Sequence, residues 1–187
     1  MKSVLISTRP KLVEKICHKI GEDETGKAIY EKRIEVRKTA PKEVPFKAYI
    51  YCTIGNGVKG DYLVPSGIQC GKVIGWFVCN SVDKYHYDYC DGVDIDDDTI
   101  LETAIDREDI NIYAKGKTLY GWHISDLKIY DKPKELSEFY TKKKCNSCKK
   151  SGYESTACMY DEDCKVPMSI TRPPQSWMYV EDLGEAE

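Results

Sequence analysis

Four cysteines near the C-terminus constrain this chain more than any other feature. Cys145 and Cys148 form a C-x-x-C pair, and Cys158 and Cys164 follow, separated by five residues. The stretch between them, NSCKKSGYESTACMYDED, is polar and short of aliphatic side chains, so it cannot build a core alone. A tetrahedron of four thiolates on Zn2+ would staple it, because a C-x-x-C turn lets two sulfurs reach one ion. Such a zinc is structural, since four thiolates leave no position open for water or substrate. Disulfides, unligated thiols and an iron–sulfur cluster are the alternatives. Met1 is followed by KSVLISTRPK, without the apolar core of a signal peptide, so a reducing, cytoplasmic setting is expected and stable disulfides are disfavoured. Lys142, Lys143, Lys144, Lys149 and Lys150 would offset the charge of the metal centre or touch phosphate.

At 187 residues and a net charge of −3, the chain reads as one domain with an appended module. No apolar run approaches membrane-spanning length, so no membrane partner is expected. The charge is unevenly placed. Residues 83–109 carry eleven carboxylates against Lys84 and Arg107, a local charge of −9, which leaves +6 on the rest. Asp94-Ile95-Asp96-Asp97-Asp98 has the density of a calcium loop. However, Thr99 stands where the loop needs glycine, and Ile105 where it needs glutamate. Two readings remain: a solvated acidic loop, or an acidic face that docks on a basic protein surface. The docking face would use Asp94, Asp96, Asp97 and Asp98 with the interleaved Tyr87.

Strand signals outnumber helix signals. Residues 3–7 form a short apolar run suited to a central strand. Pro10 suits a first helical turn, and Leu12, Val13, Ile16, Cys17 and Ile20 recur at helical spacing up to Gly21. Residues 22–28 read as a loop. Residues 31–38 alternate, with Ile34 and Val36 on one face and Arg33, Glu35 and Arg37 on the other. Further strands are expected at 46–53, 72–82 (where Gly75 marks a bulge or bend), 119–130 and 176–181. A short helix should open at Pro133 and run to about Tyr140. The fold class is α+β: a small curved or closed β-sheet with helices packed outside.

Several stretches together resemble the ASCH domain, a branch of the PUA-like fold. They are Ser7-Thr8-Arg9-Pro10, then Lys32-Arg33-Ile34-Glu35-Val36-Arg37, then YIYCT and GKVIGWFVC. YGWHISDLKIYDKPKELSEF and ITRPPQSWMYVEDL are similar to the longer ASCH-type proteins of phages and prophages, which also carry a cysteine cluster between these stretches. The resemblance implies a PUA-like barrel built from residues 1–142 and 169–187, with the four-cysteine zinc module at 143–168 between them; it does not extend over residues 83–112, which read as an acidic insertion. It also implies a bacterial host cell. Tyr30 stands where the family has a glycine.

PUA-like domains bind RNA or modified nucleotides, which would make Lys32, Arg33 and Arg37 the nucleic-acid contacts. From the residues alone, a salt-bridged network orienting the barrel mouth is the competing role for these charges. Some small relatives hydrolyse acylated cytidine with a lysine, a threonine and a glutamate. Lys32 matches the lysine, but Glu35 occupies the threonine position and Trp76 the glutamate position. A carboxylate does not replace a hydroxyl nucleophile, so nucleoside amidohydrolase activity is not expected and the chain reads as a non-enzyme. The acidic segment and the phage-type resemblance make an anti-CRISPR-type inhibitor of a basic effector nuclease the most concrete reading. An RNA or modified-nucleotide binding protein is the alternative.

Overall fold

The structure, a computed structural model, describes residues 1–54, 69–144 and 165–184. Strand β1 (Lys2–Thr8) is followed by helix α1 (Pro10–Cys17), the hairpin β2 (Lys19–Glu22) and β3 (Ala28–Tyr30), β4 (Ile34–Arg37), β5 (Phe46–Cys52) and β6 (Val73–Cys79). The acidic segment holds β7 (Val82–Tyr85), β8 (Tyr87–Asp88), β9 (Gly92–Val93), α2 (Asp97–Thr103) and α3 (Arg107–Ala114). The chain continues through β10 (Leu119–His123), β11 (Ser125–Lys134), β12 (Tyr140–Lys144), β13 (Lys165–Ser169) and β14 (Trp177–Val180).

Five strands form the main sheet in the order β11-β6-β5-β1-β14, with β1 and β5 parallel and the other pairs antiparallel. A second sheet, β4-β10-β7, is wholly antiparallel. Among the described residues no ladder joins the two sheets, so of the expected curved or closed sheet the closed form is not seen: two sheets enclose a core between them. That core takes Val4, Ile6, Ile50 and Phe77 from the main sheet, Trp122 from β10, and Val13 and Ile16 from α1. The outer face of the main sheet packs Leu5, Tyr49 and Val73 on Phe139 and Ile170. The outer face of the small sheet packs Ile34, Val36 and Leu119 on Val93, Ile110 and Ala114. The small sheet is therefore covered on both sides.

Two local expectations need correcting. Helix α1 stops at Cys17 instead of Gly21, because residues 19–22 pair with 28–30 as a hairpin. Asp23 closes that turn by accepting from the backbone N–H of Thr25 (2.8 Å) and Lys27 (2.9 Å). Pro133 does not open a helix. It lies in β11, an edge strand where its missing N–H costs no ladder bond, and only a 3-10 turn at Leu136–Glu138 follows. The bulge expected near Gly75 is present as a register shift between β5 and β6.

The acidic segment is woven into the domain. Tyr85, Val93, Ile95 and Ile110 supply core contacts, and several carboxylates serve local geometry. Asp96 caps α2 by accepting from the Thr99 N–H at 2.8 Å, Asp97 and Asp98 sit in the first turn, and Asp88 closes the β8–β9 turn. Carboxylates at helix N-termini are favoured by unpaired N–H groups and by the helix dipole.

Candidate functional site

Strand β4 turns Ile34 and Val36 towards α3, so Glu35 and Arg37, on the opposite face, enter the space between the two sheets. The Arg37 guanidinium reaches four residues at once, from β4, β1 and the loop before β14. Its Nη2 lies 2.7 Å from Glu35 Oε1 and donates to Ser7 O and Thr8 Oγ1, both at 3.0 Å. Its Nη1 donates to Ser176 O at 3.3 Å. The loop before β14 is held to the same place, since Ser7 Oγ donates to Pro174 O at 2.6 Å.

Lys32 is 0 % exposed. Its Nζ donates to Ile34 O (2.8 Å) and to Thr103 O (2.7 Å), a carbonyl at the C-terminal end of α2, and stands 3.5 Å from Glu35 Oε2. Burial holds this ammonium below the usual lysine range, and the Glu35 carboxylate opposes that shift. Lys32 thus ties the acidic segment to β4. Arg33 points outward and meets Glu102 at 3.3 Å. The structure brings Lys32 and Arg37 to one carboxylate and leaves Arg33 outside.

Trp122 is the cross-strand neighbour of Glu35, and its ring packs 5.0 Å from Phe46 and 5.8 Å from Trp177. Three buried polar atoms in this cluster have no hydrogen-bond partner: Glu35 Oε2, Arg37 Nε and Trp122 Nε1. Buried groups of this kind are normally satisfied, and leaving one unmade costs about 1–3 kcal/mol. Arg9 lies exposed nearby, and Lys38 places its Nζ 5.0 Å from the centre of the Tyr113 ring. Burial raises the Tyr113 phenol above its usual range while Arg37 and Arg9 oppose this, so these groups share one electrostatic environment. Sequence reasoning missed Trp122, Tyr113 and Lys38 as site residues. Only Arg9 carried a signal, as part of Ser7-Thr8-Arg9-Pro10.

No protein-family model matches the chain, and no curated relative matches it in sequence. Solved structures do match in shape. The crystal structure of ASCH from Zymomonas mobilis aligns with a TM-score of 0.52 at 15 % identity, covering 96 % of this chain and 88 % of that one. Two single mutants of that protein, a tyrosine-to-phenylalanine and a serine-to-alanine form, align with TM-scores of 0.51 and 0.51 at 15 % identity. They cover 97 % and 96 % of this chain, and 91 % and 89 % of theirs. The chain has the ASCH fold.

Within this ASCH fold Lys32 and Glu35 meet, but Trp76, the third position compared with the acylated-cytidine hydrolases, does not join them. Trp76 lies on the outer side of the main sheet with Lys47 Nζ 4.3 Å from its ring centre, away from Lys32. The acidic residues are dispersed. Asp94 and Tyr87 line a groove of about 490 Å³ with His86, Asp88, Asp91 and Arg107. Asp96 is occupied as a cap, Asp97 pairs with Arg107 at 2.7 Å, and Asp98 is exposed on α2. Cys145, Cys148, Cys158 and Cys164 lie outside the described residues. Lys144 pairs with Lys165 in the β12–β13 ladder, so the chain enters and leaves residues 145–164 side by side. Among the described residues no cluster of His, Cys, Asp and Glu is placed to hold a metal, and no helix is long and apolar enough to cross a membrane.

Proposed function

We propose that this protein is a non-catalytic, PUA-like binding protein that takes RNA or a modified nucleotide at the surface marked by Arg9, Lys38 and Tyr113, over the buried Glu35–Arg37 pair. The observation that carries this reading is the group of Arg9, Lys38 and Tyr113, which shares one electrostatic environment with the buried Arg37, whose Nε lacks a hydrogen-bond partner. Phosphate suits the cations of this surface, and a base suits the Tyr113 ring. Lys32 and Arg33 act here as framework, holding α2 against β4. The test is anisotropy titration of labelled single-stranded RNA at several salt concentrations. Arg9→Gln with Lys38→Gln should weaken binding and flatten the salt slope by roughly one unit per lost phosphate contact. Native protein without salt-sensitive binding would overturn the reading.

A second reading rests on the groove beside Tyr87, whose walls carry Asp88, Asp91 and Asp94. It makes the protein a phage or prophage inhibitor of the anti-CRISPR type, docking on the basic surface of an effector nuclease in a bacterial cytoplasm. The two readings give opposite signs for one variant. Asp94→Asn with Asp98→Asn should weaken a protein partner but leave RNA binding unchanged or tighter. In either case Cys145, Cys148, Cys158 and Cys164 are proposed to hold a structural Zn2+, supported by their spacing and by the paired entry and exit of their segment.

A further inference from the structure

Away from the Glu35–Arg37 pair, the end of β5 and the chain entering β6 bring two thiols together. Cys52 Sγ lies 3.7 Å from Cys70 Sγ, close to contact between sulfur atoms. Their backbones are already joined, since Cys52 N–H donates to Lys72 O at 2.9 Å and Gly71 N–H donates to Cys52 O at 2.7 Å. A disulfide needs neighbouring backbones with side chains aimed at each other, and the pair meets that condition without a change of strand pairing. Cys52 is buried, whereas Cys70 is partly exposed, so a soluble oxidant reaches Cys70 first. Burial raises the Cys52 thiol well above its ordinary range and Cys17 to about 11, which makes both poor first nucleophiles.

We infer that Cys52 and Cys70 form a site of reversible oxidation, at which a hydroperoxide converts the thiol pair into a disulfide. With hydrogen peroxide, the Cys70 sulfur attacks one oxygen, the O–O bond breaks, and the departing hydroxide takes the thiol proton as water. The resulting sulfenic acid is then attacked by the Cys52 sulfur. The S–O bond breaks, and the second hydroxide takes the Cys52 proton as a second water. Two thiols lose two electrons in total and the peroxide gains them, and a thiol reductant reverses the change. The cross-link would brace a strand end that is tied to Arg37, because Thr53 N–H donates to Thr8 O at 2.9 Å and Thr8 Oγ1 accepts from Arg37.

The test is peroxide treatment of the reduced full-length chain, followed by alkylation of remaining thiols and peptide mapping by mass spectrometry. The expected product is a peptide pair linked through Cys52 and Cys70, abolished by Cys70→Ser and reversed by dithiothreitol. In Cys52→Ala, Cys70 should accumulate as a sulfenic acid trapped by dimedone, which the native chain does not show. Cys70→Ser changes only a partly exposed side chain, so its loss of the linkage is readable even if Cys52→Ala folds poorly. A native chain in which Cys52 stays alkylatable after denaturation while Cys70 is over-oxidised, or in which Cys52 links to Cys17, would overturn the inference.

Discussion

Arg37 and Glu35 pair at 2.7 Å inside the protein, with their side chains only 8 % and 3 % exposed. The same carboxylate faces the fully buried Lys32 at 3.5 Å, so one anion serves two interior cations. A buried pair contributes little net stability over apolar residues, but removing one partner strands the other charge.

Glu35→Ala should therefore destabilise the fold by about 3–5 kcal/mol, because it leaves both cations without a counter-charge. Urea denaturation measures this, and Glu35→Gln should cost less by retaining an acceptor for Arg37. A Glu35→Ala midpoint equal to the native one would show that the network does not anchor the two sheets.

The same network sets a dependence on pH. Lys32 has a lower pKa folded than unfolded, because burial outweighs the pull of Glu35. Between those two values the unfolded chain binds more protons, so folding stability rises with pH through that window, up to the ordinary lysine value of 10.5. Below the folded value the cost of burying the charge is complete. Lys32→Met removes this titration. Native stability measured relative to that variant should climb as the pH enters the alkaline window, and parallel curves would contradict it.

Gly75 lies opposite Ile129 where β6 packs tightly on β11. A Cβ there would clash with the Lys128 carbonyl oxygen and stand 2.9 Å from the Ile129 Cα, both backbone atoms that cannot swing aside. Gly75→Ala should cost about 1–3 kcal/mol, the usual range for overpacking. Gly21→Ala, where nothing lies within 4 Å, should be close to neutral and is the control. Thermal melts of the two variants decide the point.

Freshly purified, reduced protein should contain about one zinc per chain, and Cys145→Ser or Cys158→Ser should lose it together with stability of the adjoining hairpin. Elemental analysis and limited proteolysis read both effects. Protein free of metal would remove zinc from the account.

The positions of β1, β5 and β6 were legible, since they are short apolar runs with strong strand formers, whereas their order in the sheet rests on long-range pairing. The end of α1 was not legible, because Ile20 continues a helical period that the β2–β3 hairpin overrides through long-range pairing. In the acidic segment, charge density alone did not say which carboxylates have local tasks: capping and turn formation place Asp88 and Asp96 on separate elements.

Alternation along β4 determined by itself that Glu35 and Arg37 share a side of the strand, because side chains in a strand repeat every two residues. Only the tertiary structure decided that this side faces inward. Sidedness is a property of one strand, whereas burial depends on what covers each face, and here α3 covers one face while the main sheet covers the other. The same limit applies to Trp122 and Tyr113. Their neighbours come from elements distant in the chain, so no spacing in the sequence could place them beside Glu35 and Arg37.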